Sequence, residues 1–369
     1  MFLDNIFSFL CGYFLKKGLD RVFISLSSLY QRYSWRKANQ AWSKYESLLS
    51  KIKLVQSGWK DGAFSEDYVC VKLEDSFEIP QDIAIRLREP YRAKWESEHL
   101  KNNQQVGVSF IDPHRVSDEI GATSHQLFIR AKTFSYFDFL ATNRILFLGL
   151  PEEQDFLRQR IGKQDYLHPV REFANPLSVG LSCFCENGCY LVLTHRTELP
   201  SSGGHWLPNS IFNAVGEMAN SQDARCTDNG HPIISPWNTA KRGLQEEMGW
   251  KYLDIVRTSP VLHSFVWDQR DFDYKFFGYV VTSLSQGDIK RRWENAPDHE
   301  SKSIEFVETR TLSQCRQVIR RILKEKNIWA SEAIFCTIHS LLHLRKLRPR
   351  DLENLLSSIV ALHTEKENK

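Results

Sequence analysis

The 369-residue sequence has little excess charge: 48 Lys and Arg against 45 Asp and Glu leave +3 at pH 7. That balance argues against a nucleic-acid partner, because such proteins display a strongly basic surface. It also lacks a long apolar run. The most apolar stretch, "MFLDNIFSFLCGYFLKK", is interrupted by Asp4 and ends at Lys16 and Lys17. Its apolar residues fall short of the ~20 that a helix needs to cross a bilayer, and no small-residue cleavage site follows. The 8 cysteines show no metal-binding spacing, and the 12 histidines form neither an HExxH pattern nor a close cluster. Cys183 and Cys185 fall on one face of a strand and Cys189 follows a glycine turn, which fits reduced core thiols of a cytosolic protein. No internal repeat is present.

What the chain does have is length, apolar residues and aromatics. At 42% hydrophobic and 12% aromatic it can build a sizeable core, in two domains or in one with a large extension. Residues 1–30 are rich in Phe and Leu and read as helix, packed on the body of the protein or in an oligomer interface, or lying on a membrane with basic flanks. Residues 31–60 read as helix. "YVCVKLED", "QVGVSFID" and "HQLFIRA" read as strands by their alternation, and "IAIRLREPYRAKWESEHLKN" as helix on both sides of Pro90. "PLSVGLSCFCENGCYLVLTHRT" is a hairpin signal, two β-rich runs around Asn187-Gly188. Residues 218–237 are polar and turn-rich, a loop or insertion. Helix is expected from about Asn238 to Met248, strands at "YKFFGYVVTSL" and "SIEFVET", and helices through the last third. The order of elements after Asn175 is an α+β pattern with a mixed sheet.

The stretch "KRGLQEEMGW", Lys241 to Trp250, carries the chemistry. On a helix, Ala240, Leu244 and Met248 form an apolar stripe, and Gly249 is a natural stop. Glu246 and Glu247 fall off that stripe, and Arg242 reaches Glu246 at i+4. Two adjacent carboxylates beside a sheet suit a hard cation, since Mg²⁺ takes carboxylate oxygens together with waters and substrate phosphates. The same residues also fit a solvated helix with one ion pair.

This stretch resembles the second half of the Nudix box, Arg-Glu-apolar-x-Glu-Glu-x-Gly-apolar. Arg242, Leu244, Glu246, Glu247, Gly249 and Trp250 match it, and Gly243 stands where the box has its first Glu. The first half of the box is not recognisable: Ile234 stands at its Glu and Asp228 at its Gly. "QLFIRAKTFSYFDFLATN", "FANPLSVGLSCFCENGCYLVLTHRT" and "HESKSIEFVE" together resemble, in order, the Nudix enzymes that split UDP-sugars. The likeness spans about residues 124–345 with a gap at 218–236, and residues 1–105 fall outside it.

The resemblance implies an α+β fold, a Nudix-like mixed sheet sandwiched by helices, with an N-terminal α/β extension and a helical N-terminus. The implied division is 1–30, an extension at 31–174, a Nudix-like domain at 175–345, and a C-terminal helix and tail at 346–369. It implies Mg²⁺-dependent cleavage, with Mn²⁺ as a substitute, of a nucleotide-sugar pyrophosphate to UMP and a sugar 1-phosphate. Glu246 and Glu247 would hold the metal, with Glu247 also catalytic. Gly243 removes one corner of the ligand triangle, and Glu217 or Glu300 would replace it, Glu300 as ligand or base. Arg196 and Arg242 are candidates for substrate phosphate. Tyr136 is a candidate for stacking on uracil and Asn143 for pairing with its edge, while Phe137 and Leu140 read as core. Two alternatives stand beside this: a non-catalytic Nudix fold that binds a nucleotide and reports it, and a hydrolase of another nucleotide such as ADP-ribose. The expected location is cytoplasmic, with an oligomer or membrane contact through residues 1–30.

Overall fold

Leu177–Cys185 is buried at every position, and its two faces differ in a way that places it mid-sheet. Leu177, Val179, Leu181 and Cys183 point into one apolar cluster. Ser178, Gly180 and Ser182 face the other way, where small residues let a helix lie close; a Cβ on Gly180 would come within 2.7 Å of the Phe277 ring. Such a strand needs cover on both sides, and it has it.

The computed structural model describes residues 52–58, 63–97, 102–117, 124–161, 165–196, 210–226, 232–270, 272–298, 301–325 and 328–346. The expectations for residues 1–30, for helix at 31–51, for Glu300 and for the segment after 346 lie outside the described residues.

Thirteen strands are described: β1 Ile52–Ser57, β2 Val69–Ser76, β3 Gln104–Ser117, β4 Ser124–Ser135, β5 Leu177–Cys185, β6 Tyr190–Arg196, β7 Ile211–Phe212, β8 Val215–Met218, β9 Ala224–Cys226, β10 Pro232–Ile234, β11 Val261–Asp268, β12 Asp273–Val281 and β13 Ser301–Glu308. They form two sheets, one ordered β1-β11-β12-β5-β6-β13 with β7 on β6 and β8 on β5, the other β3-β4-β2-β10-β9. Both are mixed: β12 runs parallel to β5 and β2 parallel to β4, and the other pairs are antiparallel. The molecule is a mixed α+β fold of two sheets flanked by helices, as expected at that level.

Helices α1 Glu89–Ser97, α2 Tyr136–Phe139, α3 Ile145–Leu148 and α4 Pro151–Arg158 belong with the second sheet in sequence. The π-helical turn Ala84–Arg88 runs into α1, and Leu140–Arg144 joins α2 to α3. Helix α5, Pro236–Glu246, follows β10, and α6, Tyr252–Val256, and α7, Gln286–Trp293, come next. The amphipathic α8, Leu312–Lys324, and the apolar α9, Ser331–Leu344, cover one face of the first sheet with a core of their own around Phe277, Ile319 and Phe335.

Three sequence readings are corrected. Residues 52–57, read as the end of a helix, are β1, an edge strand on β11 that pairs Ile52 with Asp268. Two β-branched residues and alternation outweighed the helical pattern before them. Residues 218–237, read as a loop, contain β9 and β10, which extend the second sheet through β2. Strands of three residues are too short to show a period. The segment "VLHSFVWD" was given no element and is β11, almost wholly buried. The hairpin is present: β5 and β6 pair at Cys183–Cys185, and its turn holds Glu186, Asn187 and Gly188 all at positive φ. Beyond Cys183 the two strands diverge, and β7 and β8 fill the gap, β7 on β6 and β8 on β5. Cys183, Cys185, Cys315 and Cys336 are buried and not in disulfides, and burial pushes the Cys183 thiol well above its ordinary value, which fits inert core thiols.

Candidate functional site

Helix α5 begins where Ser235 accepts the Asn238 N–H and Pro236 occupies the first turn, two favourable start signals. It begins two residues earlier than expected and ends at Glu246. Ala240, Leu244 and Met248 are fully buried, so the predicted stripe faces the core.

Gly243 lies against β8. A Cβ there would stand 2.4 Å from Val215 Cγ1 and 3.0 Å from Glu217 Cβ. Glycine at 243 therefore permits close approach of helix and strand. A carboxylate at this position would enter β8, which overturns the reading of Gly243 as a vacant corner on the face of Glu246 and Glu247.

The approach sets Arg242 beside β8 and the turn after it. Its Nε donates to Asp223 Oδ1 at 3.0 Å. One terminal nitrogen donates to Glu217 Oε1 at 2.7 Å and Glu246 Oε2 at 2.9 Å. The other donates to Asp223 Oδ2 at 3.1 Å and to the Met218 carbonyl. An arginine has five N–H donors, and these five bonds use them all. Burial alone would lower its pKa, but the Asp223 bond and the charges of Glu217 and Asp223 outweigh that and raise it. Arg242 thus ties α5 to β8 and is not placed to bind substrate phosphate, which corrects its sequence-based role. Asp223, which the sequence reading missed, is itself buried and also accepts Thr239 Oγ1 at 2.8 Å and the Asn220 N–H at 3.0 Å.

Glu247 points the other way. Its Oε1 accepts the Gly216 N–H at 2.8 Å, and its Oε2 lies 3.7 Å from Arg196 Nη2. Arg196, at the end of β6, is 2% exposed, and its guanidinium stacks on the Phe212 ring at 4.7 Å. Gly216 is exposed, and a Cβ on it would meet only Arg196 Nη2, at 3.8 Å. The face of β8 beside Glu247 and Arg196 is therefore open.

The structure brings together Glu217, Glu246, Glu247, Arg196 and Arg242, with Asp223 added. Four carboxylates meet two guanidiniums, so the cluster is anionic. Among the described residues no group of three or more His, Cys, Asp or Glu side chains is placed to hold a metal ion. Glu217 and Glu246 each give an oxygen to Arg242, and Glu247 faces Arg196. A set of this kind does not form a complete protein cage. It does fit the minimal demand of Mg²⁺, one or two carboxylates plus substrate phosphates. Glu300 lies outside the described residues, but the Asp298 N–H donates to the Glu246 carbonyl at 2.9 Å, so the chain leading to it passes the end of α5.

Tyr136 and Asn143 lie in the helical run after β4. Tyr136 is half-buried with its ring 5.8 Å from that of Phe139. Asn143 is fully buried and accepts Thr142 Oγ1 at 2.8 Å. Its amide does not face solvent, which corrects its assignment to a base edge. Phe137 and Leu140 are core, as expected.

No family profile matches the chain, and no curated protein matches it.

Proposed function

We propose that this protein is a Nudix-type hydrolase that binds the diphosphate of a nucleotide sugar such as UDP-glucose and cleaves it to UMP and a sugar 1-phosphate. The observation that supports this most is Glu247, held by the Gly216 N–H and facing Arg196 beside an open stretch of β8. Arg196, buried on Phe212, faces Glu247 from behind and steadies that carboxylate rather than reaching a ligand itself. Glu246 and Glu247 carry the negative charge that favours Mg²⁺ or Mn²⁺ arriving with the diphosphate, and Glu217 is steadied by Arg242 behind them. When bound, the cation neutralises phosphate charge and makes a water more acidic. Glu300 remains the candidate base.

A second reading has its own support. Arg242 neutralises part of the charge on Glu217 and Glu246, and the Nudix motif is incomplete at Gly243, as suits a module that binds a nucleotide without cleaving it. One experiment separates the two. Purified protein is incubated with Mg²⁺ and UDP-glucose, UDP-galactose or ADP-ribose, and products are followed alongside calorimetric binding. Turnover of a UDP-sugar that Glu247→Gln abolishes supports the hydrolase. Binding without products supports the module. Products from ADP-ribose alone move the substrate class, and neither binding nor turnover rejects both readings.

A further inference from the structure

Helix α6 turns its apolar side outward. A helix on a protein surface ordinarily packs its apolar stripe on the core and shows its polar residues to water. In α6 the reverse holds: Tyr252, Leu253 and Val256 are 73%, 63% and 61% exposed. At about 100° per residue these three share one arc of roughly 100°. Ile255 alone of the five residues is buried, and it joins the larger apolar cluster.

A loose segment could expose such residues by accident, but α6 is fixed. The Lys251 N–H donates to Asp254 Oδ2 at 3.0 Å, and Asp254 Oδ1 accepts Arg292 Nη2 of α7 at 2.9 Å. Thr258 Oγ1 donates to the Asp254 carbonyl. Just before the helix, Gly249 has a φ of 64°, and a Cβ on it would stand 2.2 Å from the Arg292 carbonyl oxygen. Helix α7 is thus the mount that holds the apolar arc out.

Positive charge surrounds the arc. Lys251 and Arg257 flank α6 and are both exposed. The last turn of α7 brings Lys290 and Arg291, also exposed, next in sequence to the Arg292 that holds α6. The acids of these elements are largely engaged: Asp254 by Arg292, and Asp288 by Arg291 and Ser285. Across residues 251–257 and 286–294, Lys251, Arg257, Lys290, Arg291 and Arg292 outnumber Asp254, Asp288 and Glu294.

We propose that α6 and the last turn of α7 form a docking surface for an anionic membrane, with Tyr252, Leu253 and Val256 entering the headgroup layer and Lys251, Arg257, Lys290 and Arg291 meeting the lipid charge. Three large apolar side chains held in water gain by leaving it. Tyrosine suits the boundary, with an apolar ring and a polar hydroxyl. Basic residues beside them are drawn to the negative surface of such a membrane, and this basic rim is what selects an anionic lipid surface as the occupant. Five residues are far too few to cross the bilayer, so the contact is superficial and reversible. None of these residues is assigned to the candidate site, and the inference stands apart from the hydrolase reading.

Co-sedimentation of the full chain with vesicles tests this. Wild type should pellet with phosphatidylcholine vesicles containing about one-third phosphatidylserine, and about tenfold less with phosphatidylcholine alone. Leu253→Glu with Val256→Glu should cut binding to the mixed vesicles by about tenfold or more, with the melting temperature kept, since both positions are exposed. Lys251→Glu with Lys290→Glu leaves the apolar arc intact and should bring binding down to the level seen with phosphatidylcholine alone. Residues 1–30 are the same in every protein compared, so the differences report on α6 and α7. The inference is overturned if wild type stays in the supernatant with both kinds of vesicle, if it binds both equally, or if either double variant pellets like wild type. Sedimentation velocity without vesicles covers the other occupant. A wild type that self-associates, beside a Leu253→Glu/Val256→Glu protein that does not, would assign the arc to a second copy of this chain and overturn the membrane.

Discussion

Arg242 and Asp223 face each other in a two-pronged ion pair, Nε to Oδ1 at 3.0 Å and Nη2 to Oδ2 at 3.1 Å. The pair fastens the candidate metal-binding helix to a turn that carries no motif of its own. Breaking a buried pair by removing one partner costs roughly 3–5 kcal/mol, mostly because the other charge is left stranded. Asp223→Ala is therefore expected to lower stability by about 3 kcal/mol, and Arg242→Lys by less, since an ammonium keeps the charge but not the fork. Urea denaturation of both variants checks this; equal, near-zero losses would contradict the role given to the pair.

Gly243→Ala sets two effects against each other. Alanine favours helix by up to about 1 kcal/mol over glycine. Its Cβ, however, would stand 2.4 Å from Val215 Cγ1, and overpacking of a tight contact costs roughly 1–3 kcal/mol. The net expectation is destabilisation. Adding Val215→Ala should recover part of it, a positive coupling that a double-mutant cycle by thermal unfolding would reveal. A stabilised single mutant would mean that the helix and β8 are less closely packed than described.

Acid stability should depend on Glu305. The hydrogen bond from His195, and then Arg321 despite some opposing burial, hold its carboxyl down to about 2. A depressed carboxylate contributes stability that is complete above its unfolded value of 4.5 and is lost as pH falls from there through 2. Glu305→Gln should lower stability at pH 7 and flatten the fall between pH 4.5 and 2. Parallel slopes of chemical stability against pH for the two proteins would refute this.

Glu247→Gln keeps the acceptor oxygen for the Gly216 N–H but removes the charge. If the hydrolase reading holds, Mg²⁺-dependent turnover of the folded variant should fall by about a hundredfold or more, alongside a lower melting temperature, because the buried Arg196 loses a facing charge. A variant with unchanged turnover would leave the metal role without support.

How much of this was legible in the sequence depended on periodicity. The strands β2, β4, β5, β6 and β12 alternate or form long β-branched runs and were readable, as was α5 from Ala240, Leu244 and Met248. The pair of Glu246 with Arg242 followed from helical spacing alone. Two parts of the site did not. Asp223 sits in a polar stretch that resembles any surface loop, and only its contact with a residue nineteen positions away makes it structural. Gly243 was weighed against a motif, while the reason for it lies in Val215, which no local pattern connects to it. Arg196 was legible as the end of a strand, but its burial on Phe212 depends on β7 filling the gap left by β5 and β6.

The two sheets are interlaced rather than strung in series. β1, early in the chain, closes an edge of the sheet built mainly from later residues, and β9 and β10, from late in the chain, extend the sheet built mainly from early ones. A cut near residue 174 would therefore give no clean halves: the later piece would expose the β11 edge and carry β9 and β10 without β2. The segment from β7 to α5 passes through both sheets and contributes most of the candidate site. Strain imposed there would reach both halves of the protein, so occupancy of the site would be felt as resistance to their separation.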